Sequence, residues 1–162
     1  MENIQLKVIG TIHSPYQDIR GMPIQPVAAQ GVKGHIEILP EYREGLKDLG
    51  GFSHIILLYY FHQADTPRLS VTPFLDSRSR GVFATRAPTR PNPIGLSVVR
   101  LLGVNGERLE IENVDVLNGT PLLDIKPFVP EFDYNDDVKI GWLEAVKGKM
   151  AGKSSDERFG FC

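Results

Sequence analysis

Cysteine is almost absent: the sequence holds one, Cys162, at its last position. It can form neither an intramolecular disulfide nor a thiolate zinc cluster, which fits a reducing compartment. Long apolar runs are missing too. The longest, Ile55 to Phe61, has seven residues, far below the roughly 18 that cross a bilayer. Met1-Glu2-Asn3-Ile4-Gln5 is not a basic stretch leading into an apolar block, so no secretory signal is expected and the chain reads as cytoplasmic. No glycine fingerprint of the G-x-G-x-x-G type follows a strand-like run, which removes the usual dinucleotide fold. Gly152-Lys153-Ser154 imitates the end of a phosphate loop, but Lys147 stands where the earlier glycine is required. No G-x-S-x-G elbow appears, so the commonest hydrolase class drops out as well. His13, His35, His54 and His62 show no i, i+4 pair, and no metal site is expected from their spacing.

What is present suits one soluble domain. With 162 residues, 41% hydrophobic and 23% charged, the chain can bury a core and carries too few charges for a disordered polymer. The net charge of -2 conceals an uneven distribution. Asp76 to Pro93 holds Arg78, Arg80, Arg86 and Arg90 against one acid, whereas Glu131, Asp133, Asp136 and Asp137 follow one another with no base between them. Only the arginine side is a candidate anion site.

Twelve prolines and sixteen glycines interrupt the chain so often that long helices have no room. Short strands are expected at Lys7 to Thr11, Gly34 to Leu39, Ile55 to Phe61, Val82 to Thr85, Leu96 to Val104, Arg108 to Val116 and Leu122 to Ile125. Period-2 alternation in the fifth and sixth, with Asn105-Gly106 between them, predicts a hairpin with a type I′ turn. Leu39, Tyr42, Leu46 and Leu49 predict a short amphipathic helix, and Val138 to Val146 another. The expected class is all-β and mainly antiparallel, a small barrel with long loops and one or two short helices. The barrel domain is expected over residues 1–146 and a polar tail over 147–162.

One segment has the character of a built site. Thr85 to Gly95 reads T-R-A-P-T-R-P-N-P-I-G. Pro88, Pro91 and Pro93 fix φ and push their neighbours to extended geometry, so the loop holds its shape before a ligand arrives. Arg86 and Arg90 offer forked donors to a carboxylate or phosphate, and Asn92 offers a donor and an acceptor. A second segment, Asn118-Gly119-Thr120-Pro121, presents backbone amides, and Asp124 and Lys126 project from one strand face beyond it. His62-Gln63 stands where the most apolar strand leaves the core for the loop at Ala64 to Gly81, a position where binding groups gather. Pro26-Val27-Ala28 says nothing by composition.

The phrase F-A-T-R-A-P-T-R-P-N-P-I-G-L-S at Phe83 to Ser97 resembles the TrmO family, also called TsaA-like or VirR-like. I-G-T-I-H-S-P-Y from Ile9, F-S-H from Phe52, F-H-Q from Phe61 and N-G-T-P-L-L-D-I-K-P-F from Asn118 extend the resemblance to about Asp133. Asn118 stands where the family more often has Asp, and longer relatives carry a further C-terminal domain. The resemblance implies a β-barrel methyltransferase that uses S-adenosyl-L-methionine (SAM). It would methylate N6 of threonylcarbamoyl-adenosine beside the anticodon of a transfer RNA, as a homodimer without a metal. By position, cofactor contacts would fall on Pro26, Val27, Ala28, His62, Gln63, Arg90, Leu117, Asn118, Gly119 and Thr120. Arg86, Asn92, Arg78 and Arg80 are candidates for the substrate, with Arg68 extending the basic track to an anticodon stem-loop. Asp124 or His62 would accept the N6 proton, with Lys126 beside Asp124, and Phe132 or Tyr134 could stack on a base or simply pack. A SAM or nucleotide sensor without catalysis, or a small RNA-binding module, would use the same features.

Overall fold

The computed structural model describes residues 2–23 and 26–147, with the side chains of Pro26 and Val27 also outside the description. The polar tail expected over 147–162 therefore lies, except for Lys147, outside the described residues.

Six strands close a barrel in which every neighbouring pair is antiparallel, and in spatial order they run first, second, seventh, sixth, third and eighth of the chain's strands, the eighth closing on the first. They are β1 (Gly10–His13), β2 (Lys33–Ile38), β3 (His54–Tyr60), β6 (Ile94–Asn105), β7 (Arg108–Glu112) and β8 (Thr120–Pro127). Two short strands, β4 (Ser70–Val71) and β5 (Arg80–Gly81), form a separate ribbon within the arginine-bearing excursion between β3 and β6. Closure removes the open edges that a sheet would leave unpaired. Alternate residues point inward, so Ile12, Ile36, Ile55, Leu57, Val99, Leu109, Ile111 and Leu122 fill the barrel. No helix of the described residues is long and apolar enough to cross a membrane.

Several expected elements take a different form. The hairpin between β6 and β7 is present, but Asn105 pairs with Arg108, so the two turn residues are Gly106 and Glu107. Only Gly106 has positive φ, +63°, which is the type II′ signature in place of type I′. Val82 to Thr85 is not a strand: Val82–Ala84 forms a 3₁₀ turn that buries Val82 against Val71 and Ala87. The predicted amphipathic helix splits into 3₁₀ segments at Pro40–Leu46 and Leu49–Gly51, because Asp48 takes a left-handed φ of 66° between them. Near the end, Gly141–Val146 is also 3₁₀, and the one described α-helical turn is Pro130–Asp133. The sixth predicted strand stops at Glu112, where Asn113 turns to φ 68° and its N–H bonds Val32 O at 2.8 Å.

Candidate functional site

A cleft of about 970 Å³ opens at the end of the barrel where β3 and β6 meet the proline-stiffened loop. Its shape begins with a small-residue choice in β6. Gly95 and Ser97 face inward, while their partners across the ladder are Tyr59 and Leu57. A Cβ at Gly95 would overlap the rings of Tyr59 and Phe61, so only glycine lets Tyr59 lie flat against this strand. The Tyr59 ring packs edge-on to Phe61, centroids 5.4 Å apart. Its hydroxyl comes to rest 2.9 Å from Ser97 Oγ.

Ser97 in turn donates to Asp115 Oδ1 at 2.6 Å, with both side chains buried. Asp115, only 8% exposed, lines the cleft between the core residues Val114 and Val116. Burial pushes its carboxyl up to about 7; the hydrogen bond from Ser97 and the Arg86 guanidinium pull the other way without cancelling that cost. Burial and the nearby Asp115 raise the phenols of Tyr59 and Tyr16. The Tyr59 hydroxyl therefore keeps its proton. A carboxyl that titrates near neutrality inside a cleft is what general acid–base chemistry requires. Asp115 was not singled out from the sequence, where its one signal is an acid set between two core valines.

The stiff loop builds one wall. Arg90 Nη1 donates to the carbonyls of Thr85 (2.9 Å) and Ala87 (3.3 Å), clasping the start of the loop to its middle. Thr85 Oγ1 donates to Val82 O at 2.8 Å, and Arg68 N to Thr89 O at 3.0 Å. Arg86, Arg90 and Asn92 line the cleft. The opposite wall comes from Val116 to Thr120. Ser14 Oγ donates to Val116 O at 2.6 Å, and Ser14 N donates to Asn118 Oδ1 at 3.1 Å. Gly119 has φ +80°, and its N–H reaches Ile12 O at 2.9 Å. Leu117 and Thr120 line the cleft, whereas the Asn118 side chain is spent on tying the wall to Ser14 and Gln17.

His62 and Gln63 lie on the lining, as their place at the strand exit suggests. Burial lowers the His62 imidazole, partly opposed by its bond to the Tyr60 backbone, so the ring is neutral at pH 7. Among the described residues, Asn118, Gly119, Asp124, Lys126, Ala28, Arg78 and Arg80 are not on the lining. Asp124 and Lys126 do share a strand face, but they pair with each other, Nζ to Oδ2 at 2.8 Å, on exposed side chains. Arg80 is held by Asp76 Oδ2 (Nε, 2.7 Å) and stacks on Trp142, whose ring lies 5.4 Å away. Trp142 Nε1 donates to Ala84 O at 2.8 Å, and Trp142 and Leu143 close that side of the cleft. Arg68 is paired with Asp65 at 3.1 Å. Arg78, Phe132 and Tyr134 are exposed.

The cleft's walls are mostly apolar, with Arg86, Arg90, Asn92 and Asp115 as convergent polar groups, and its size falls within the roughly 300–1,000 Å³ of small-molecule sites. Such a lining suits a small ligand that carries both apolar surface and charged groups.

Comparison with known proteins places this site in a family. The profile of the tRNA-methyltransferase O N-terminal domain matches residues 11–134. A probable S-adenosyl-L-methionine-binding protein of Pyrococcus abyssi is 54% identical over 151 residues, covering 93% of this chain and 82% of that protein. The tRNA (adenine(37)-N6)-methyltransferase of Escherichia coli is 36% identical over 156 residues, covering 90% of this chain and 66% of that one. The crystal structure of TrmO from Pseudomonas aeruginosa superposes with a TM-score of 0.74 at 40% identity. It is matched over 87% of this chain and 63% of its own, so this chain spans less than two thirds of that protein. With its matching motifs on both walls of the cleft, the chain belongs to the TrmO N-terminal domain family.

Proposed function

We propose that this chain is a SAM-dependent tRNA methyltransferase acting on N6 of a threonylcarbamoylated adenosine next to the anticodon. The observation that carries the reading is the buried Asp115, poised near neutrality in a cleft walled by the family's own motifs. When bound, SAM supplies a methyl group on a cationic sulfur, and loss of that methyl leaves a neutral thioether.

The chain's own residues do the rest by positioning and proton transfer. Arg90 and the prolines hold the loop in its binding shape, which reduces the entropy lost on binding. Arg86 and Arg90 suit the methionyl carboxylate, and the wall from Leu117 to Thr120 suits the adenosine. The lone pair on N6 of a carbamoylated adenine is delocalised into the ring and the carbonyl, so the nitrogen becomes a nucleophile as its N–H proton leaves. Asp115 as carboxylate takes that proton, and the N–H electron pair becomes the new N–CH₃ bond. Ser97, held by Tyr59, fixes the acceptor oxygen through its hydrogen bond. His62 is the other titratable group within reach, but its lowered basicity leaves Asp115 the better acceptor. Asp124 and Lys126, outside the lining, are assigned no proton transfer.

Exposed Arg78, with Phe132 and Tyr134, supports contact with an anticodon stem-loop, where phosphates supply affinity and splayed bases stack on aromatics. Phe83, Ile94 and Leu96 are exposed on the rim of the cleft, which supports a homodimer that covers them. The enzyme would work in the cytoplasm with its tRNA. Incubation with methyl-labelled SAM and tRNA tests the reading. Label on N6 supports it; SAM binding without transfer favours a sensor, and RNA binding without SAM favours a phosphate-gripping module.

A further inference from the structure

Strand pairing brings together three donors that the sequence scatters. His13 on β1 and His35 on β2 are direct cross-strand partners, and Glu37 follows His35 on the same outward face. Their neighbours Ile12 and Ile36 point into the core, which fixes the two imidazoles outside. The rings stack with centroids 4.6 Å apart and planes 18° from parallel. Gly34 allows this closeness, since a Cβ there would press on the His13 carbonyl.

We propose that His13, His35 and Glu37 bind one divalent transition-metal ion of the zinc or copper type on the outer wall of the barrel. His13 Nε2 lies 3.3 Å from Glu37 Oε2, and His35 Nε2 lies 3.7 Å from Oε1. All three donor atoms fall within 4.8 Å of one another. Ligands about 2.0–2.2 Å from a tetrahedral ion stand roughly 3.3 Å apart, so half-exposed rings and an exposed carboxylate need only small rotations to close on it. Two imidazoles and one carboxylate suit zinc, copper or nickel, and not the oxygen-only shells of magnesium or calcium.

The second observation is an orphan. His13 Nε2 is shielded from solvent and has no hydrogen-bond partner among the described residues, its approach to Glu37 being too poorly aligned for one. In the tautomer that carries its proton on Nδ1, this shielded nitrogen offers a lone pair to the cluster, and a metal satisfies it. The surrounding charges divide. Arg108 faces His35 and disfavours a cation, while Glu110, the cross-strand partner of His35, favours one. Arg108 is already paired with Glu110 at 2.5 Å, so the two largely cancel and leave Glu37 as the local anion. None of the three ligands lines the cleft, which makes this a site separate from the methyl-transfer centre.

Because the full set of ligands is assembled only by the pairing of β1 on β2, the ion would bind the folded barrel in preference to the unfolded chain and raise its Tm by mass action. Titrating metal-free full-length protein with ZnCl₂ in a calorimeter should give a saturable one-to-one isotherm. The Cu²⁺ form should show electron-spin-resonance splitting from two nitrogens. Replacing His13→Asn or His35→Asn should weaken zinc about tenfold or more, with Glu37→Gln as an independent third variant. Circular dichroism and Tm of the metal-free variants check the fold, which these outward substitutions leave intact. Cys162→Ser should change nothing. Absence of saturable binding, affinity undiminished in the histidine variants, loss of binding in Cys162→Ser, or a copper spectrum without nitrogen splitting would each overturn the proposal.

Discussion

Ser97 donates its hydroxyl proton to Asp115 at 2.6 Å while itself lying 2.9 Å from the Tyr59 hydroxyl, so a strand residue holds the cleft's buried acid in one orientation. Tyr59 retains its phenolic proton, and the order of donation runs from Tyr59 through Ser97 to Asp115. The carboxylate form gains a charge-assisted bond that partly offsets its desolvation.

Asp115→Asn keeps the shape and removes the base. Transfer should fall by about 10²–10⁴-fold while SAM affinity stays within a few fold. Single-turnover methylation beside calorimetric SAM binding checks both. A variant retaining near-full turnover would take Asp115 out of the chemistry.

Transfer should rise with pH through about 7 as Asp115 ionises, then level off. Replacing Arg86→Gln removes the guanidinium that favours the carboxylate, so the same limb should move to higher pH. Stability should run the opposite way. The folded acid binds its proton more tightly than the unfolded one, whose usual value is 3.8, so this group's contribution is greatest below that value. It is lost as pH rises to about 7, by up to a few kcal/mol in all. Denaturant melts at pH 5 and pH 8 should show a wild-type loss that Asp115→Asn lacks.

Gly95→Ala drives a methyl into the buried ring of Tyr59 and the partly buried ring of Phe61, both of which must shift to admit it. The cost should be about 1–3 kcal/mol, read as a lowered Tm, with SAM binding weakened because Gly95 also lines the cleft.

Arg90→Ala removes both bonds that clasp the loop. SAM should then bind about tenfold more weakly, since the loop must be ordered at the moment of binding. Arg90→Lys should recover part of it, because both carbonyls are bonded from one nitrogen, a role that a three-donor ammonium can share.

Binding to a tRNA anticodon stem-loop should weaken steeply with salt, and Arg78→Ala should reduce the log–log slope by about one. Arg68 and Arg80 should contribute less, as Asp65 and Asp76 already neutralise them.

Periodicity and turn residues made the barrel legible, since alternation in β6 and β7 reports one buried face regardless of what covers it. They were less informative about 3₁₀ turns. At Val82 a strand-like side chain is buried by the ribbon of β4 and β5, a tertiary contact that no local pattern encodes. The stiff loop and His62-Gln63 were legible because proline, arginine and strand exits act locally. Asp115 was not, because its role comes from burial beneath Ser97 and Tyr59 on other strands. The strand face shared by Asp124 and Lys126 was readable for the same local reason, but not that the two side chains pair with each other outside the cleft lining. His13 and His35 likewise meet only through the register of β1 on β2.

The most direct test is transfer of labelled methyl from SAM to a threonylcarbamoylated anticodon stem-loop, followed by nucleoside analysis, for wild type and Asp115→Asn side by side. The account predicts label on N6 of the modified adenosine with wild type and almost none with Asp115→Asn, although that variant still binds SAM. No label with wild type, or equal label with both proteins, would contradict it.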